Sequence, residues 1–135
     1  MIHRTALGID FGLRRTGVAI GNTLTGGARP LETIDAPGNA ERFARLADLI
    51  AQWQPDLLVV GLPVTASGGD SALAVRIRRF GRQLHGRFGL PVEFVDERYS
   101  SAVVQSALKT GRDDKAVLDA AAAAVILQAW LDQHT

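Results

Sequence analysis

The chain contains no cysteine. That absence excludes a disulfide scaffold, a thiolate zinc site and a cysteine nucleophile. Lysine is almost as scarce: Lys109 and Lys115 are the only two, so the basic charge is carried by arginine, whose planar fork suits phosphate. No apolar run approaches the roughly 18 residues of a membrane span, because Asp, Arg, Gln or Pro interrupts each one. Met1-Ile2-His3-Arg4-Thr5 runs directly into a strand-like segment, without the pattern of a secretory signal. A charge excess of one sign is also missing: 15 Lys and Arg stand against 14 Asp and Glu, a net +1. The distribution says more than the sum. Between Ser71 and Val92 there is no acid, while five arginines occur there: Arg76, Arg78, Arg79, Arg82 and Arg87. These absences predict a soluble cytoplasmic protein with no membrane partner.

What is present suffices for a core. With 135 residues, 47% of them hydrophobic, the chain fits one domain of roughly 100–200 residues spanning 1–135 and excludes intrinsic disorder. Thr5 to Asp10 reads as a strand entering a glycine turn, and Thr16 to Gly21 as its hairpin partner, since the short link favours antiparallel pairing. Ala28 to Ile34 reads as a third strand, with Pro30 suggesting an edge. Asn39 is a candidate cap for a helix of about 14 residues whose apolar face is Phe43, Leu46, Ile50 and Trp53. Leu57 to Leu62 is a continuous apolar run, the pattern of a central strand covered on both faces. The next helix carries Leu73, Ile77, Phe80, Leu84 and Phe88 on one side and Arg78, Arg79 and Arg82 on the other. Val92 to Glu97 is a fifth strand, Ser100 or Ser101 caps a short helix to about Lys109, and Lys115 to Asp132 forms the last helix. Its Ala120–Ala124 run suits close helix–sheet packing. The order predicts an α/β fold: a mixed five-stranded sheet with helices on both faces.

Functional groups in such sheets gather at the carboxyl ends of parallel strands. Asp10 ends the first strand and Glu97 the fifth. With the first, fourth and fifth strands adjacent and parallel, two strand steps separate the acids by about 10 Å of backbone. Asp96 alternates to the other face. Asp119 lies in the first turns of the last helix, flanked by Ala122 and Ala123, with nothing bulky above it. Three carboxylates offering only oxygen favour Mg²⁺ or Mn²⁺ over zinc, and such a site suits phosphodiester hydrolysis. Each acid alone also has a structural reading. Asp10 can be a turn former, Asp119 a partner of the helix dipole, and Lys115 a surface pair with Asp119. Gly8, Gly12, Gly17 and Gly21 relieve backbone crowding around the hairpin.

Gly8-Ile9-Asp10-Phe11-Gly12 followed by Arg14-Arg15-Thr16-Gly17-Val18-Ala19 resembles the opening of the YqgF family, also called RuvX-type Holliday-junction resolvases or pre-16S ribosomal RNA nucleases. The resemblance continues through Ala28-Arg29-Pro30-Leu31, Pro55-Asp56, Val60-Gly61-Leu62-Pro63, Asp96-Glu97-Arg98 and Leu118-Asp119 with Ala122-Ala123 and Ile126-Leu127. The ordered set covers roughly residues 5 to 132. It implies a ribonuclease-H-like (RNase H-like) fold and a metal-dependent nuclease of the bacterial cytoplasm with its acidic site at Asp10, Glu97 and Asp119, and it makes Arg98 phosphate-facing. After Pro63 the chain departs from the family pattern with Val64-Thr65-Ala66-Ser67-Gly68-Gly69, beside the expected cleft.

The expected function is a hydrolase of ester bonds: an endonuclease on structured nucleic acid, with the 5′ end of precursor 16S rRNA as favoured substrate. Asp10 is the bridging metal ligand, and Glu97 and Asp119 complete the coordination of Mg²⁺ or Mn²⁺. Arg14, Arg98 and Lys115 hold phosphates, and Arg76, Arg79 and Arg82 extend the track along the strand. Two alternatives stand beside it. One is resolution of branched DNA, which needs a dimer with paired sites, where the first reading allows a monomer or weak homodimer. The other is a non-catalytic nucleic-acid-binding or ribosome-associated module.

Overall fold

The computed structural model describes residues 4–63, 71–96 and 115–134. The sheet strands are β1 (Thr5–Asp10), β2 (Arg15–Asn22), β3 (Ala28–Asp35), β4 (Leu57–Leu62) and β5 (Val92–Asp96). Helices α1 (Asn39–Trp53), α2 (Ala72–Phe88) and α3 (Lys115–His134) accompany them. The short helix expected from Ser100 or Ser101 to Lys109 lies outside the described residues.

The strands form one sheet in the order β3-β2-β1-β4-β5. Hairpin links make β2 antiparallel to both β1 and β3, whereas β4 runs parallel to β1 and β5 parallel to β4. This is the mixed sheet expected from the element order, with β1, β4 and β5 adjacent. All six residues of β4 are buried. Its side chains alternate between two cores, Leu58, Val60 and Leu62 on one face and Leu57 and Val59 on the other. β3 sits at the sheet edge, where Pro30 is tolerated beside a register shift between Val18 and Ala19.

Helices α1 and α2 cover one face through Phe43, Leu46, Leu49, Ile77, Phe80 and Leu84. α3 covers the other through Ala123, Ile126, Leu127, Trp130 and Leu131. The α3 side is close-packed. A Cβ placed on Gly8 would stand 2.7 Å from Leu127 Cβ and 2.8 Å from the Ala123 carbonyl oxygen. One on Gly17 would stand 1.8 Å from the Asp119 carbonyl oxygen. The crowding at Gly8 and Gly17 is therefore set by a helix backbone lying directly on β1 and β2, and the alanine run allows that approach, whereas Gly12 relieves crowding against the Arg15 carbonyl within the turn itself.

Two local expectations change. Gly38, in extended backbone, is the N-cap of α1 instead of Asn39, because the Asn39 amide oxygen accepts from Arg42. In α2 the buried stripe is Ala74, Ile77, Phe80, Gly81 and Leu84, and Leu73 is exposed. The stripe begins at Ala74 because Ser71 caps the helix, accepting from the Ala74 amide at 3.1 Å. Gly89, at φ 68°, ends α2 in the left-handed region that favours glycine.

Candidate active site

Alternation along β1 decides where its terminal acid goes. Leu7 and Ile9 join the core under α1 and α2, and Ala6 and Gly8 face α3. Asp10 therefore lies on the α3 side. In β2 the same alternation turns Arg15, Gly17 and Ala19 toward α3. Asp10 pairs with Gly17 in the ladder, and the Asp119 carbonyl packs onto Gly17. Two of the three expected acids are thus brought to one end of the central strands from opposite ends of the chain. Both are half-buried.

The open flank expected beside Asp119 is occupied. Arg15 Nε donates to Asp119 Oδ2 at 2.9 Å, with 36% and 28% of the two side chains exposed. Arg14, expected at the site, is not the arginine that reaches Asp119; Arg15 is. Strand parity was the available signal, since Arg15 shares the face of Gly17 and Ala19. Arg14 Nε instead meets Asp35 Oδ1 at 3.0 Å in an exposed pair, the kind worth about 0–1 kcal/mol.

The register Val60↔Phe94 and Leu62↔Asp96 extends β5 to the same end of the sheet. Val95 packs in the α3 core, so Asp96 turns to the other face, as expected. Glu97 and Arg98, next in the sequence, lie outside the described residues. Lys115 opens α3, and its side chain is likewise outside them. Among the described residues no three His, Asp or Glu side chains form a metal-binding group. Asp10 and Asp119 offer carboxylate oxygens, the hard donors that Mg²⁺ and Mn²⁺ take, so the donor chemistry fits those ions.

Sequence reasoning also missed Arg42, which is only 2% exposed. Its guanidinium braces the β1–β2 turn. Nη2 donates to the carbonyls of Gly12 at 3.1 Å and Leu13 at 2.8 Å, Nε donates to Thr16 Oγ1 at 3.0 Å, and Nη1 donates to Asn39 Oδ1. The cation lies 4.8 Å from the centre of the Phe11 ring. Burial pushes its pKa below the ordinary arginine value. Helical phase held a clue, because Arg42 falls four residues before Leu46 and seven before Leu49, on the buried stripe.

The remaining expected contacts sit elsewhere. Arg76 and Arg79 line a cavity of about 470 Å³ with Arg42. Arg82 is exposed on α2 and is not part of that lining. No helix among the described residues is long and apolar enough to cross a membrane.

Comparison with known proteins agrees with this architecture. The chain is 53% identical over 132 residues to a Bordetella pertussis protein named "Putative pre-16S rRNA nuclease", covering 98% of this chain and 96% of that one. A Methylobacillus flagellatus protein of the same name is 54% identical over 130 residues, covering 93% and 89%. Among solved structures, Thermus thermophilus RuvC in complex with a Holliday junction substrate matches with a TM-score of 0.61 at 17% identity, covering 97% of this chain and 95% of that one. The fowlpox virus resolvase in complex with substrate Holliday junction DNA matches with a TM-score of 0.63 at 14% identity, covering 96% and 98%. These two share the fold, the RNase H-like arrangement of resolvases. The family model RuvX, described as Holliday junction resolvase, matches residues 4–133, and the chain belongs to that family.

Proposed function

We propose that this protein is a metal-dependent endonuclease that cuts structured nucleic acid, with the 5′ end of precursor 16S rRNA as its substrate, in the cytoplasm where ribosomes assemble. The observation that carries the reading is that Asp10 and Asp119 lie at the same end of the central strands, through the Asp10–Gly17 pair and the Asp119 carbonyl seated on Gly17. Names of relatives above 50% identity over nearly the whole chain support the substrate.

Asp10, Glu97 and Asp119 are the carboxylates that would hold Mg²⁺ or Mn²⁺. A bound divalent ion lowers the pKa of an attacking water and offsets charge on the leaving oxygen. The protein's own part is to position the strand. Arg98 and Lys115 supply cations for phosphate, and Arg14, in its exposed pair with Asp35, exchanges that partner for a phosphate oxygen. The bracing of the turn by Arg42 fixes the backbone between Asp10 and Arg15.

The test is cleavage of precursor 16S rRNA by purified protein with Mn²⁺ or Mg²⁺. Asp10→Asn, nearly isosteric, is expected to lose at least about a hundredfold in rate by losing a charged ligand, with its thermal transition close to the parent's. Equal cleavage by the variant overturns the site. No cleavage by the parent favours a binding module.

A second reading, junction resolution, draws on the description of the family. It needs paired sites in a dimer. Symmetric cuts in four-way DNA by a dimeric species favour it, and a strict monomer with junction bound counts against it.

A further inference from the structure

The cavity on the α1/α2 face is built differently from the acidic edge. Its walls come from the β1–β2 turn, the start of α1 and one side of α2. Three arginines line it, Arg42, Arg76 and Arg79, and among the described residues no carboxylate does. Arg42 is buried, and among the described residues its hydrogen bonds go only to neutral oxygens. Arg76 and Arg79 are exposed on α2 and form no salt bridge among the described residues. Gly38, also in the lining, opens α1 without a side-chain cap, which leaves amides of the first turn to an outside acceptor. Glu41 is the acid of that turn, is exposed, and is not part of the lining.

Cations that meet no carboxylate among the described residues, gathered around one cavity, suit an anion. Arg76 and Arg79 offer exposed guanidinium donors, and the buried charge of Arg42 lies behind them with its donors largely spent on the turn. Together these charges exceed the single charge of an internal phosphodiester and suit the dianion of a phosphate monoester, which Arg76 and Arg79 can grip with paired donors. A volume of about 470 Å³ exceeds what a bare phosphate needs and falls in the range of small-ligand sites. Phe11 and Phe80, with ring centroids 4.6 Å apart, form an apolar wall that suits a base or sugar, and the Gln83 amide adds a polar group.

We propose that this cavity binds the terminal phosphate monoester of a nucleotide, on the sheet face opposite the acids. The source is either the 5′-phosphate end of a strand or a free mononucleotide. Only the strand source rests on the nuclease reading. The site itself does not need that reading.

Binding is measured by calorimetry on the full chain in EDTA, so that no divalent ion contributes. The probes are AMP, adenosine, and one short single-stranded RNA with a 5′-phosphate or a 5′-hydroxyl. The phosphorylated member of each pair is expected to bind about tenfold tighter or better, as charge-assisted hydrogen bonds predict. That preference is expected to vanish in Arg76→Gln/Arg79→Gln, whose exposed positions leave the thermal transition unchanged, and to survive in Asp10→Asn. Tighter binding of the phosphorylated RNA than of AMP identifies a strand end as the source, and equal binding identifies a free nucleotide. Equal affinity for phosphorylated and unphosphorylated probes overturns the proposal, as does a preference that persists in the double variant. Since no metal or cleavage enters the readout, failure here is separate from failure of the nuclease assay.

Discussion

The two faces of the sheet are packed by opposite rules. On the α3 side, Gly8, Gly17 and the alanines of the helix bring backbone against backbone, and acids lie at the end of that contact. On the α1/α2 side, Phe43, Leu46, Leu49 and Phe80 stand between helix and sheet, and a cavity lined by arginines opens at the same end. Small residues fix a helix at one height and angle, because carbonyl groups cannot be displaced as side chains can. Large side chains fill a thicker layer and leave room at its rim. The β1–β2 turn runs between the two regimes and is tied to both, by Arg15 to Asp119 on one face and by Arg42 to the Gly12 and Leu13 carbonyls on the other.

The most direct way to break the contrast is to give the α3 face a side chain it has no room for. Gly17→Ala puts a Cβ 1.8 Å from the Asp119 carbonyl oxygen, so α3 must lift. The expected loss is about 3 kcal/mol, the upper end of overpacking costs, read from the midpoint of urea unfolding. Cleavage should fall with it, because Asp119 moves away from Asp10. An unchanged midpoint shows that the helix does not depend on this contact.

Arg42→Met probes the other face. It keeps the apolar stem but takes the donor from the buried Thr16 hydroxyl and from the part-buried Leu13 carbonyl, and leaves the Gly12 carbonyl only the 3.5 Å contact from Thr16 Oγ1. The expected destabilisation is about 2 kcal/mol, since unpaired buried polar groups cost about 1–3 kcal/mol. The pH dependence has a definite sign. Burial lowers the folded-state pKa of Arg42, so its charge opposes folding wherever it is held, and relief comes only as pH rises through that pKa. Arginine stays charged throughout the range of ordinary measurement. The cost is therefore constant there, and parent and variant stability curves should run parallel from about pH 5 to 9.

Much of this was legible from local pattern. The run of β1 into a glycine turn, the apolar run of β4 and the place of Pro30 in β3 each depend on a few neighbouring residues, and parallel adjacency of β1, β4 and β5 follows from the crossover helices. Asp10 was legible as the acid that ends the first strand, and the alanine run suggested that the helix carrying Asp119 packs close to the sheet. The Arg15–Asp119 pair, 104 positions apart in sequence, was illegible because two adjacent arginines, Arg14 and Arg15, differ only in strand parity. Asn39 looked like a cap because both it and Gly38 suit the position, and the choice fell to a contact with Arg42. The acid-free stretch of α2 announced a basic surface. Its division into Arg76 and Arg79 at a cavity and Arg82 away from it depends on where α1 begins, which lies in a different part of the chain.

The smallest expected effect on stability carries the most information about the acidic edge. Arg15 and Asp119 are both partly exposed, so Arg15→Ala should cost at most about 1 kcal/mol and barely move the thermal transition. Its effect on cleavage turns on what the carboxylate is for. As a metal ligand, Asp119 Oδ2 is contested by the Arg15 guanidinium, and removing the competitor should lower the Mn²⁺ concentration for half-maximal activity by up to about fivefold, the equivalent of that pair energy. As a purely structural anchor between α3 and β2, Asp119 would gain nothing from losing its partner, and the Mn²⁺ response would stay where it was or weaken with a loosened helix. A metal titration of the parent and this variant therefore separates a carboxylate held in reserve for an ion from one that only fastens two elements, a distinction that stability alone cannot make because both predict the same small loss.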